Sequence, residues 1–200
     1  GFTELGLTAA LVQQKNITPD DETSVFIINI VAGLVITTIL CALSPLVASF
    51  FGQEILVRLL CVQSLGIFIA STGLVQFALI SKQMKFRLGA IIELVSTCSS
   101  GLVGVTMAYK GYGVWSLVGL GLSRELVRTI AAWIVCGWRP RGRYSSVRVA
   151  AMWDYSSKLL YSSLFHRIVT NLNTFIIGKV FPPAALGLYA RALSLQFLPV

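Results

Sequence analysis

Charge is what this sequence has least of. Only 12% of its 200 residues are Asp, Glu, Lys or Arg, and none lies between Glu22 and Glu54 or between Arg58 and Lys82. Soluble domains carry about 25%, so a soluble globular fold is excluded and an integral membrane protein is indicated. Histidine occurs once, as His166, and Cys41, Cys61, Cys98 and Cys136 are scattered through apolar runs. No metal-spaced Cys/His cluster or CxxC pair exists, and four buried free thiols are expected. The sequence also lacks GxxxxGK[ST], HExxH, GxSxG and any nucleic-acid-binding motif, which argues against ATP hydrolysis, zinc proteolysis, esterase chemistry and nucleic-acid partners. Acid–base catalysis would rest on Glu93, Glu125, Asp154 or His166, none with a convincing partner. A non-enzymatic protein without cofactor or metal is expected. The chain opens on Gly1 and stops at "LQFLPV", so a fragment lacking sequence at both ends, and no signal peptide, is expected.

What is present is a series of long apolar runs. "GFTELGLTAALV" (1–12) reads as a helix tail and "QQKNITPDDET" (13–23) as a polar loop. Residues 25–51, 59–80, 89–109 and 114–138 each meet the roughly 20 residues a spanning helix needs. Pro45 predicts a kink near the end of the first. Trp115 and Trp138 bracket the last as interfacial aromatics do. The sequence therefore predicts an all-α polytopic bundle. Residues 1–138 form a partial N-terminal bundle, the end of one helix plus four spanning helices; 139–149 are a basic connector; 150–200 begin a second bundle. The net charge of +8 gathers in connectors, above all "SKQMKFR" (81–87) and "RPRGRYSSVR" (139–148). These are alternate connectors, so the positive-inside rule sets both, and 13–23 with them, in the cytoplasm. The tight turns near 53, 111 and 182 then lie outside.

One crossing breaks the apolar rule. "GLGLSRELVRTIAAW" (119–133) carries Arg124, Glu125 and Arg128 at its middle. At about 100° per residue, Arg124 and Arg128 lie about 40° apart on a stripe with Leu117 and Gly121, and Glu125 can pair with Arg128 at i,i+3. An unpaired charge there costs about 2.5–3.5 kcal/mol, so the stripe is expected to face the bundle interior or a wet cavity. Two arginines against one glutamate leave one positive charge over. That makes an anion site, suited to phosphate through bidentate guanidinium bonds. The alternative is an internal ion pair that fixes packing, with one arginine snorkelling to an interface. A second polar stripe, Ser162, His166, Thr170 and Asn173, with Arg167 and Asn171 beside it, is expected to line the same interior; a packing role is the alternative for His166. Ser99, Ser100, Gly101 and Gly104, and Gly119, Gly121 and Ser123, make small-residue faces for close helix packing.

The segments "FTELGLTAALVQQKNIT", "ALISKQMKF", "YGVWSLVGLGLSRELVRTIAAWIVCGWRP" and "NTFIIGKVFPPAALGLYARALSLQFLPV", in this order along the whole chain, carry a resemblance. The chain resembles the oligosaccharide-flippase branch of the multidrug/oligosaccharidyl-lipid/polysaccharide exporter superfamily, of the O-antigen and colanic-acid exporter type. The resemblance implies two helical bundles around a cavity that opens to each side in turn, and a multi-pass protein of the bacterial inner membrane. The implied substrate is an undecaprenyl-pyrophosphate-linked oligosaccharide moved from the cytoplasmic to the periplasmic leaflet, with Arg124 and Arg128 meeting the pyrophosphate. Membrane lipids and polysaccharide polymerase machinery are the further implied partners. Asn173 stands where the family pattern has Asp, and "FPP" replaces a Gly-containing turn. Two alternatives stay open. A cation-coupled drug exporter would favour acidic cavity residues; a membrane-embedded polymerase or glycosyltransferase would bring large outer loops or a soluble acidic motif.

Overall fold

A computed structural model describes residues 18–142, together with Phe165. Chain contacts divide the protein into two units, Gly1–Ser157 and Lys158–Val200. The described residues of the first unit form five α-helices and no strand: α1 Pro19–Phe51, α2 Ile55–Ser71, α3 Leu74–Lys82, α4 Phe86–Tyr109 and α5 Trp115–Cys136. The predicted connector and second bundle, 139–200, lie almost wholly outside them.

The first helix starts earlier than its apolar pattern suggests. Thr18 is the N-cap, Pro19 follows at the first helical position, and Asp20, Asp21 and Glu22 fill the first turn. The Asp21 carboxylate accepts from Thr18 N at 2.9 Å and from Thr18 Oγ1 at 2.7 Å, while Asp21 N donates back to Thr18 Oγ1 at 3.4 Å. This reciprocal cap, with acids at the positive end of the helix dipole, turns the last part of the expected 13–23 loop into helix. At 33 residues, about 50 Å at the standard rise, α1 is longer than a bilayer core is thick.

Burial is inverted relative to a water-soluble protein. The side chains packed most completely include Ser24, Asn29, Ser44, Ser71, Gln76 and Ser96, while Leu46, Leu94, Leu102 and Ile134 are exposed. Lipid supplies no hydrophobic drive between helices, so small residues that let backbones approach occupy the interface. Along the α1–α2 seam a Cβ on Gly33 would collide with Ser71, and Thr37 Oγ1 donates to Ser64 O at 3.0 Å. The repeated Cys-x-x-Ser of each helix then meets the other: the Cys41 thiol lies 3.5 Å from Ser64 Oγ, and Ser44 Oγ 3.4 Å from the Cys61 thiol. Pro45 deprives the Cys41 carbonyl of its helical donor, and Ser44 Oγ takes its place at 2.8 Å. The helix runs on through Pro45 because the lost bond is replaced locally. All four cysteines are free; Cys98 is exposed on α4 and Cys41, Cys61 and Cys136 are half-buried, contrary to the expectation of four buried thiols.

The expected single crossing 59–80 is two helices, α2 and α3, bent by 42° at Thr72–Gly73. Hydroxyls at the bend turn back onto their own helix, Ser71 onto Phe68 O at 2.7 Å and Thr72 onto Ile69 O at 2.7 Å, a bonding pattern that bends helices. The carbonyls a break exposes are met by side chains. Trp133 Nε1 donates to Thr72 O at 3.0 Å and Thr129 Oγ1 to Ile69 O at 3.3 Å. With its amide oriented to suit both neighbours, the Gln76 nitrogen donates to Thr72 O and Gly73 O, each at 3.1 Å. Backbone irregularity at membrane depth persists only where such donors satisfy it. A longer side chain at Gly73 would press on Thr129, 3.2 Å away.

The short α3 is the best-buried element, and Val25, Val75, Ala78 and Leu79 form a cluster that Phe26, Cys136 and Trp138 complete. Trp138 Nε1 donates to Glu22 Oε2 at 2.5 Å and Gly142 N to Thr23 Oγ1 at 3.0 Å. The start of α1, the α3–α4 turn and the end of α5 therefore sit at one end of the bundle, as alternation of the connectors requires. Among the described residues, α1 and α4 are each long and apolar enough to span, and the bent α2–α3 pair makes a third. The 22-residue α5 is long enough but carries three charges, so the four expected apolar spans become two or three.

Candidate functional site

The intramembrane charges are placed by an αα-hairpin. The turn Lys110–Val114 folds α5 back along α4, and small residues set the spacing. A Cβ on Gly104 would come 2.8 Å from Leu120, and one on Gly119 would overlap Met107. Ser96 and Ser100 of α4 are buried on the same side. Further along, Ile80 and Ile92 close on Ala132. Between these contacts Glu93 of α4 stands opposite Arg124 and Arg128 of α5.

One carboxylate serves both guanidiniums. Arg128 Nε donates to Glu93 Oε1 at 2.6 Å, and Arg124 Nη2 donates to Glu93 Oε2 at 3.1 Å. Arg128 Nη1 also lies 3.7 Å from Glu125 Oε2, the expected i,i+3 pair, and its guanidinium carbon sits 4.0 Å above the Phe77 ring of α3. Glu125 turns toward α2, where its Cγ is 4.0 Å from the place of a Cβ on Gly66; its Oε2 is buried and accepts no hydrogen bond from the described residues. Two positive and two negative groups thus meet across two helices, α4 and α5. The surplus positive charge expected from α5 alone is absent once Glu93 is counted.

The group is not sealed. The Arg124 side chain is 47% exposed, Glu93 41% and Arg128 27%, and Leu117, on the arginine stripe, is 68% exposed. Arg128 is fixed on three sides, by Glu93, Glu125 and Phe77. For Arg124, Glu93 is the carboxylate the described residues provide. Of the expected small-residue positions, Gly104, Gly119 and Gly121 make close approaches, the last against Gln63, whereas Gly101 faces open space. His166, Arg167, Thr170, Asn171 and Asn173 lie outside the described residues. An open cleft of about 500 Å³ at the other end of the bundle is lined by Glu54, Ile55, Val57 and Arg58, and none of the described site residues reaches it.

In the sequence Glu93 stands near a helix start with no evident partner. A signal for its partners is nonetheless there: a tight turn at 110–113 pairs antiparallel positions whose numbers sum to about 223, and 93 and 128 come within two of that. Gln76, Trp133 and Thr129, which seal the break in α2–α3, carry no comparable signal.

The whole chain, residues 1–200, matches the family described as polysaccharide biosynthesis protein. It belongs to that family. It is 27% identical over 97% of its length to the succinoglycan biosynthesis transport protein ExoT of Rhizobium meliloti, covering 39% of that protein. It is 25% identical over 98% of its length to the teichuronic acid biosynthesis protein TuaB of Bacillus subtilis, covering 41%. A third relative, the lipopolysaccharide biosynthesis protein WzxC of Escherichia coli, is 23% identical over 99% of this chain and is covered to 41%. The chain spans about two fifths of the length of these curated relatives. No solved structure matches it.

Proposed function

We propose that this chain is part of a non-enzymatic inner-membrane transporter that moves an undecaprenyl-pyrophosphate-linked oligosaccharide from the cytoplasmic to the periplasmic leaflet for polysaccharide or lipopolysaccharide biosynthesis. Residues 1–138 are most of a first helical bundle and 150–200 the start of a second, joined by the basic connector 139–149. Membrane lipids, and the polymerase machinery that consumes the saccharide, are its partners. The observation that carries this reading is the half-exposed Arg124–Arg128 pair within a membrane bundle of a polysaccharide biosynthesis family. A membrane protein retains intramembrane charge at a cost, and an accessible guanidinium pair is suited to a phosphate diester or pyrophosphate. His166, Arg167, Thr170, Asn171 and Asn173 are the further candidates for lining the cavity.

Glu93 supports a second reading, in which the four charges only staple α4 to α5. The two readings separate in one experiment. Arg124→Ala and Arg128→Ala in the full chain abolish polysaccharide export while membrane insertion and folded yield stay near wild type; a staple instead gives poorly folded protein, and unimpaired export in both variants removes the arginines from the mechanism.

A further inference from the structure

We infer that Glu93 is a displaceable counter-anion: it occupies the two arginines while the site is empty, and an arriving phosphate group takes its place. This rests on the transport reading above and adds the residue that sets the site's affinity and its release step.

The bonding is asymmetric in the way displacement requires. Each guanidinium gives Glu93 one N–H, through Arg124 Nη2 and Arg128 Nε, out of the five that an arginine carries. Glu93 sits on α4, across the hairpin from both arginines, and its side chain is 41% exposed, so it can swing away without unfolding α5. Arg128 keeps Glu125 at 3.7 Å and the Phe77 ring at 4.0 Å after Glu93 leaves. Arg124, the more exposed arginine at 47%, has no second carboxylate among the described residues and is released to follow the ligand.

Charge arithmetic gives the direction. Empty, the group sums to zero: Arg124 and Arg128 against Glu93 and Glu125. A pyrophosphate ester brings at least two negative charges, so a Glu93 held in place would face it at contact distance in a low-dielectric setting, where like charges repel strongly. Expelling Glu93 leaves both guanidiniums to the phosphate oxygens in charge-assisted, bidentate geometry. The returning carboxylate competes with the phosphate and speeds its departure. Glu93 thereby weakens binding and sustains turnover.

The test is binding of farnesyl pyrophosphate and of inorganic pyrophosphate to the full chain in nanodiscs, for wild type, Glu93→Gln, Glu93→Asp and the Arg124→Gln/Arg128→Gln pair, with the thermal midpoint of each recorded. Removing a competing charged hydrogen bond is expected to tighten binding about tenfold in Glu93→Gln, with slower export in cells. Glu93→Asp, shorter by one methylene but still charged, keeps the fold and shows a smaller gain. A preference for the prenyl over the inorganic probe assigns the ligand to a lipid-borne phosphate; equal affinities assign it to a free one. If the arginine pair variant loses binding while Glu93→Gln binds no better than wild type, the counter-anion role is wrong and the transport reading stands. If the arginine pair variant binds as wild type does, the transport reading itself fails.

Discussion

At the scale of single residues, the molecule is organised by how it neutralises polarity that lipid cannot solvate. Arg124 and Arg128 are tolerated because Glu93 and Glu125 sit beside them, and the two arginines are not equivalent. Arg128 touches two carboxylates and an aromatic ring, whereas Arg124 touches one carboxylate from a more exposed position. Removing one partner of such a part-exposed pair leaves the other charge partly solvated, a cost of about 1 kcal/mol rather than that of a sealed pair. Arg128→Ala is therefore expected to lower the thermal midpoint clearly more than Arg124→Ala in detergent; equal shifts would contradict the three-sided anchoring of Arg128. Asn29 is the opposite case. It is 1% exposed, and among the described residues neither its amide nitrogen nor its amide oxygen has a hydrogen-bond partner. An unsatisfied buried amide costs about 1–3 kcal/mol, so Asn29→Leu is expected to raise the thermal midpoint, and a fall would show that the amide is paired in the native bundle.

At the scale of elements, the break between α2 and α3 shows what hydropathy cannot. The sequence 59–80 is uninterrupted by charge and reads as one span, yet it bends by 42° where Ser71 and Thr72 turn onto their own helix. Two donors from α5, Thr129 and Trp133, and one from α3 itself, Gln76, make the bend sustainable. Gln76→Leu removes the donor shared by Thr72 O and Gly73 O and is expected to destabilise the bundle by about 1–3 kcal/mol, measured as a shift in denaturation midpoint; no shift would mean the break is held by Trp133 and Thr129 alone. The apolar runs, the small-residue faces and the charged stripe of α5 are legible in the sequence because each follows from composition or from a single helical period. The break, the Thr18 cap of α1 and the partnership of Glu93 are not, because each depends on which segment a helix packs against or on a local cap outside the apolar pattern. Glu93 illustrates the difference: the helical wheel of α5 counts its own charges, and the compensating one is 31 residues away on α4.

At the scale of the whole bundle, connectors alternate between two ends. Glu22–Trp138 and Thr23–Gly142 tie the start of α1 to the end of α5, beside the α3–α4 turn with its exposed Lys85 and Arg87. On the proposed reading, the positive-inside rule sets this end in the cytoplasm. In intact cells, single cysteines at Lys85 or Arg139 on a cysteine-free background are expected to resist a membrane-impermeant thiol reagent that labels cysteines at Gln53 or Tyr112. The reverse pattern would invert the topology. The central claim is that the arginine stripe of α5 meets water and phosphate rather than acyl chains. It is tested most directly by cysteines at positions 124 and 128, beside a control at Ile134, probed with a small charged thiol reagent in the presence and absence of pyrophosphate. The account predicts labelling at 124 and 128 that pyrophosphate suppresses, and none at 134; labelling at 124 and 128 no greater than at 134 would contradict it.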